Sequence, residues 1–230
     1  DRGKATGRSA ELDSANPRYY SDDKNGSTSK GNVNGHIIRM QEVGNNPSAT
    51  AFNWDIYLFG AQSDADENIN ISKLTDDNDF SSPDGLFFSE ASKGLMWLQT
   101  DDGYHTDVTN CMMLAAIPGA YNDGKSTQII NKAVPSNGDA DETITTYVGT
   151  EASTTNLKRF LVGPKGCEIT GITETPDGKA IFVNIQHPGE NTSDLSDSAN
   201  FESHWPANGT ARPRSATIVI TKNDGGIVGS

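Results

Sequence analysis

Glu168-Ile169-Thr170-Gly171-Ile172-Thr173-Glu174-Thr175-Pro176-Asp177-Gly178-Lys179-Ala180-Ile181-Phe182-Val183-Asn184-Ile185-Gln186 is the stretch whose reading decides the fold class. Two runs of β-type residues, Glu168 to Thr175 and Ala180 to Gln186, flank a Pro-Asp-Gly cluster of the kind that turns a chain. Similar runs recur on either side: Gly35 to Val43, Phe52 to Gly60, Leu86 to Ser89, Leu95 to Gln99, Asn110 to Ile117, Thr143 to Val148, Leu157 to Val162 and Ala216 to Thr221. Gly, Pro, Asn or Asp bounds each one, and no long amphipathic helix competes with them. An all-β protein is therefore predicted. Residues 20–32, 63–79 and 187–213 read as irregular. The last stretch is longer than the ~12–15 residues usual for a plain connection. It also holds Phe201, Glu202, His204, Trp205 and Arg212, which favours an ordered loop near a site.

Composition agrees. Only 33% of the 230 residues are hydrophobic, and 23 glycines and 10 prolines supply turns between short apolar runs. The net charge of −13 would repel a polyanion over most of the surface, so nucleic acid is not an expected partner. Clustered carboxylates also offer the hard oxygen ligands that calcium prefers, although a solvated surface is the plainer reading of any one cluster. The two cysteines, Cys111 and Cys167, are compatible with one disulfide or two thiols and fit no zinc spacing. No run approaches the ~20 apolar residues of a membrane helix. The chain opens on Asp1-Arg2-Gly3-Lys4 instead of a signal peptide, so the expectation is a soluble, already processed chain.

Ser82-Pro83-Asp84-Gly85-Leu86-Phe87-Phe88 echoes Thr175-Pro176-Asp177-Gly178-Lys179-Ala180-Ile181-Phe182-Val183, each reading as a turn before a buried strand. Their separation is about twice the ~40–45 residues of a propeller blade. At four strands to a blade, the runs fill roughly two and a half blades, whereas closed rings need about four to eight. The ring predicted from the sequence is incomplete. Serine-hydrolase, zincin and phosphate-loop chemistry are excluded, because no GxSxG, HExxH or GxxxxGK[ST] is present. Asp64-Ala65-Asp66-Glu67-Asn68 starts like an EF-hand loop, but Ile69 and Thr75 occupy the required glycine and glutamate positions.

Four segments, spanning nearly the whole chain, carry a family resemblance. They are Asn16-Pro17-Arg18 with Asn34-Gly35-His36-Ile37-Ile38-Arg39 and Phe52-Asn53-Trp54-Asp55; Ser82-Pro83-Asp84-Gly85-Leu86 with Leu95-Met96-Trp97-Leu98-Gln99-Thr100-Asp101; Gly163-Pro164-Lys165-Gly166-Cys167-Glu168-Ile169-Thr170-Gly171 with Phe182-Val183-Asn184-Ile185-Gln186-His187-Pro188-Gly189-Glu190; and Ser203-His204-Trp205-Pro206 with Arg212-Pro213-Arg214-Ser215. The third is the most specific. Together they resemble the C-terminal half of PhoX-type secreted alkaline phosphatases.

The resemblance implies a β-propeller, about half of a six-bladed ring, with residues 1–230 as the C-terminal portion and a missing N-terminal half as partner. It further implies a secreted or periplasmic phosphomonoesterase that uses calcium and iron in the propeller channel on small phosphate monoesters. Glu168 would be a metal ligand and catalytic residue. Asp84 is the second candidate ligand, weighed against an ordinary turn role. Arg214 is the second candidate catalytic residue and the candidate phosphate clamp, since a guanidinium forks onto phosphate oxygens, and Lys165 would assist it in binding substrate. His187 is balanced between a structural hydrogen-bonder and a site residue, and Cys167 reads as a small buried residue. Alone, 1–230 is expected to be inactive. The alternative is a non-catalytic, calcium-stabilised propeller serving as a binding module.

Overall fold

A computed structural model of the chain describes residues 12–24, 27–101, 103, 105, 107–132 and 140–230. The opening Asp1-Arg2-Gly3-Lys4 lies outside them. Strands dominate: β1 (Tyr20–Lys24), β2 (Ser27–Gly31), β3 (His36–Glu42), β4 (Phe52–Phe59), β5 (Pro83–Phe88), β6 (Met96–Thr100), β7 (Met112–Ala116), β8 (Ser126–Asn131), β9 (Glu142–Tyr147), β10 (Leu157–Val162), β11 (Glu168–Glu174), β12 (Ala180–Gln186) and β13 (Ala216–Thr221). Only short 3-10 turns interrupt them among the described residues, and no helix there is long and apolar enough to cross a membrane. The all-β expectation holds. The sheets are antiparallel, and among the described residues none closes on itself. The chain gathers into two compact units, Asp1–Ser82 with Gly119–Ser153, and Pro83–Pro118 with Thr154–Ser230.

In the first unit, β3 pairs with β4 from His36↔Phe59 to Glu42↔Phe52, and β8 pairs with β9. Ile56, Phe59 and Ile129 form its apolar centre. Residues 20–32, expected to be irregular, instead form the β1–β2 hairpin in register from Tyr20↔Gly31. Those strands are polar throughout, so they lack the alternation that marks a half-buried strand. Strand β8 was likewise unanticipated. Residues 63–79 do lack a strand, and Asn70 orders them: its amide donates to the Ser63 and Leu74 carbonyls at 3.0 and 2.9 Å and accepts the Leu74 N–H at 2.8 Å.

A buried arginine organises this unit. Arg18, 1% exposed, donates from Nε and Nη2 to Asn32 Oδ1 at 2.8 and 2.6 Å and from Nη2 to the Gly35 carbonyl at 2.9 Å. Its guanidinium lies over the Phe59 ring, 4.8 Å from the centroid. The Asn32 amide in turn donates to His36 Nδ1 at 2.6 Å, which requires a neutral imidazole. Burial above all, with the Arg18 charge among the contributions that add to it, holds the His36 pKa down at about 4. A depressed histidine pKa means that the unfolded chain takes up a proton between roughly pH 6.5 and 4 while the native ring does not. Its stabilising contribution is therefore complete above pH 6.5 and is lost as the pH falls. Urea midpoints at pH 7.5 and 5.5 are expected to differ more for wild type than for His36→Gln, and equal differences would remove His36 from the effect.

The second unit has a four-stranded sheet of order β10-β7-β6-β5 and a three-stranded sheet of order β11-β12-β13. Alternation along β12 buries Ile181, Val183 and Ile185. They join Trp97, Met113, Ile169, Cys111 and Cys167 in one apolar cluster, where each fully buried large side chain contributes about 1.5–3 kcal/mol. Both cysteines are buried thiols. Burial, and the neighbouring Cys111 after it, push the Cys167 thiol up to about 12, which fits a packing role and not a nucleophile.

The Pro-Asp-Gly echo does not carry into structure. Residues 175–178 form the turn expected, with the Gly178 N–H donating to the Thr175 carbonyl at 2.8 Å and Asp177 Oδ1 accepting from Thr175 Oγ1 at 2.7 Å. Pro83, Asp84 and Gly85, by contrast, lie within β5, whose register against β6 shifts between Pro83 and Leu86. Proline is tolerated there as the first residue of a strand. Nor is β5 buried, since Leu86 and Phe88 are exposed.

Candidate metal centre

Glu168 opens β11 directly after the Gly163-Pro164-Lys165-Gly166-Cys167 approach. Gly166 is required in that approach: its φ is +65°, and a Cβ on it would fall 2.4 Å from Glu202 Oε2 and 3.0 Å from the Glu190 nitrogen. The Gly189 N–H donates to the Lys165 carbonyl at 2.9 Å and the Glu190 N–H to that of Gly166 at 3.2 Å. Residues 189–190 are thereby laid alongside 165–166.

Glu168 is 8% exposed. Its register partner across the β11–β12 pair is Gln186, whose Nε2 donates to Glu168 Oε2 at 2.8 Å. Glu168, exposed Asp101 just past β6, and half-buried His187 just past β12 each offer a ligand atom within 4.8 Å of the others. Burial above all, reinforced by the charges of Asp101 and then Asp84, raises the proton affinity of Glu168 against the opposing effects of Thr170 and His187. A carboxylate so placed favours either a proton or a cation as company.

His187 reaches this group through an unusual backbone. In an unbroken strand, residue 187 would project to the face opposite Gln186. Its φ of +36°, uncommon for a residue with a side chain, ends the alternation. Nε2 then stands 3.6 Å from Glu168 Oε2 and Nδ1 stands 3.5 Å from Glu190 Oε2. Ser215 Oγ accepts the His187 N–H at 2.9 Å and secures the turn. Conformations of this kind cost of order 1–3 kcal/mol and cluster at functional sites.

Two carboxylates and one imidazole make a mixed oxygen and nitrogen donor set. Imidazole suits a transition ion such as iron better than calcium, which takes oxygen ligands alone. The donor set present therefore fits an iron-type ion, three ligands leaving positions for further groups.

A model of the alkaline phosphatase PhoX family matches residues 7–189. The chain belongs to that family. Among solved structures, the chain is similar to Pseudomonas fluorescens PhoX in complex with vanadate, a transition state analogue, with 30% sequence identity and a TM-score of 0.58. The similarity covers 89% of this chain and 29% of that one, so the chain spans less than a third of that PhoX chain. No curated protein matches it.

In this family member, the residues singled out from sequence are distributed unevenly. Glu168 sits at the centre of the donor group. Asp84 is exposed in β5 and outside the trio, although its charge is felt at Glu168. Lys165 Nζ is turned to Glu202, 3.6 Å from Oε1. Arg214 is exposed; its backbone N–H donates to the Trp205 carbonyl at 3.0 Å, and it directly precedes the Ser215 that holds His187. Asp101 was not anticipated, although it closes the quoted Leu95 to Asp101 motif. Residues 187–213 carry one short 3-10 turn, Ser198–Asn200, and no strand. Glu202 stitches this loop down by accepting the Asn191 N–H at 3.1 Å.

Proposed function

We propose that this chain is part of an extracytoplasmic phosphomonoesterase, an alkaline phosphatase whose metal centre is held in part by Asp101, Glu168 and His187. The observation that carries this reading is the convergence of those three donors at the segment most specific to the family. In the same reading the strands belong to a β-propeller of six blades, completed by polypeptide beyond these 230 residues and opening its channel at the donor group. Iron would take the mixed donor set, and Asp84, an oxygen donor near Glu168, would lean toward calcium. Bound metal would neutralise phosphate charge and polarise the phosphoryl oxygen.

The chain's own residues then divide the remaining work. Glu168, Asp101 and His187 present ligand atoms, while Gln186 and Thr170 orient the Glu168 carboxylate. Arg214 holds the phosphate of a small monoester by a charge-assisted fork. Lys165, drawn to Glu202, has the lesser part.

The test is hydrolysis of p-nitrophenyl phosphate by the complete protein before chelation, after it, and after iron and calcium are returned. Activity lost and then restored is expected. Arg214→Ala should raise KM if the guanidinium binds ground and transition states alike, and should lower kcat if it acts in the transition state. Hydrolysis indifferent to chelation would sink the metal reading, and unchanged KM and kcat would remove Arg214 from the site.

A further inference from the structure

His187 lies between two carboxylates. Nε2 faces Glu168 at 3.6 Å, and Nδ1 faces Glu190 at 3.5 Å. That Nδ1 atom is buried and lacks a hydrogen-bond partner, which is costly for an imidazole nitrogen unless something completes it. Glu190, by contrast, keeps a 60% exposed side chain and is free to rotate. Closing the gap needs about half an ångström to reach ordinary hydrogen-bond length. Two constraints make the approach a built feature. The Glu190 N–H is fixed on the Gly166 carbonyl at 3.2 Å, and the left-handed His187 backbone is secured by Ser215 Oγ.

We infer that Glu190 is a positioning residue for His187, accepting the Nδ1 proton so that Nε2 presents its lone pair to the ion held with Glu168 and Asp101. This rests on the reading of the trio as a metal locus. A neutral imidazole carries one proton, so fixing it on Nδ1 leaves Nε2 as the only donor atom. A carboxylate behind a metal-bound histidine commonly sets its tautomer and ring orientation in this way, and its loss costs 10–100-fold in metal affinity. Unlike Glu168, Glu190 would not touch the ion.

The test uses the full-length protein stripped of metal and labelled with 15N. Long-range proton–nitrogen correlations report the tautomer of each histidine, and His187→Gly, which a left-handed backbone accepts, identifies the signals of residue 187. Wild type is expected to show the proton on Nδ1, Glu190→Gln a shift of population toward Nε2–H, and Glu190→Asp a partial return. Calorimetry with Mn2+ alone, a redox-stable probe, should show roughly 10-fold or greater weakening in Glu190→Gln and partial recovery in Glu190→Asp. A wild-type tautomer already on Nε2, or one that Glu190→Gln leaves unmoved, overturns the proposal. So does weaker Mn2+ binding without any change of tautomer, because Glu190 would then be a ligand itself. If wild type binds no Mn2+, the metal reading fails, and the tautomer still decides whether Glu190 positions the ring.

Discussion

Glu168→Gln is expected to lower kcat/KM for a phosphomonoester by about 100-fold or more in the complete protein and to strip most of its tightly held metal. The substitution keeps the shape of the side chain and its hydrogen-bond partners while removing the ligand charge. Its effect on the metal-free fold should run the other way. The Glu168 pKa is raised by burial, then by Asp101 and Asp84, so the native state holds this proton to higher pH than the unfolded chain does. Stability is therefore lost as the pH rises from the ordinary glutamate value of 4.5 through the raised one, and at neutral pH the ionised group works against folding. Metal-free Glu168→Gln should unfold at a urea concentration equal to or above that of wild type near pH 7.5. A purely structural residue would behave otherwise, with stability and activity falling together.

Arg39→Met is expected to be the most damaging single change in the first unit. Arg39 Nε and Nη2 fork onto Asp55 Oδ1 and Oδ2 at 2.9 and 2.6 Å, and Nη1 and Nη2 reach Asp123 at 3.1 and 2.8 Å. Asp55 is fully buried and also accepts the Asn122 N–H at 2.9 Å. Burial by itself would lower the Arg39 pKa, but the hydrogen bonds from Asp55 and Asp123 outweigh it and the net shift is upward. Removing the guanidinium leaves a buried carboxylate with no cation, a change that typically costs about 3–5 kcal/mol. Chemical denaturation should show a loss of this order, with Arg39→Lys intermediate because it keeps the charge and loses the fork. A loss below about 1 kcal/mol would mean that Asp55 finds water or another partner.

The reach of the sequence can be judged residue by residue. The β11–β12 pair was legible because alternation and the Pro176-Asp177-Gly178 turn agree, and Glu168 stood out because it falls inside a specific string. Asp101 was in view at the end of its motif, but only the β6 strand end brings it to Glu168. His187 was undecided because a positive φ on a histidine leaves no mark in the sequence. The hairpin of β1 and β2 was missed for lack of apolar alternation, although Asn25-Gly26, which lies outside the described residues, is a dipeptide that favours tight hairpins. Pro83-Asp84-Gly85 misled in the opposite sense. Its residue types suit a turn, yet it lies within β5 beside Gln99, whose Oε1 lies 2.5 Å from where a Gly85 Cβ would be.

Crystals of the complete protein, measured on both sides of the iron absorption edge, test the metal centre most directly. An anomalous peak within about 2–2.5 Å of Glu168 and His187 Nε2 is expected, with Asp101 beside it. Iron bound elsewhere, with Glu168 and His187 in contact only with each other and with water, would contradict it.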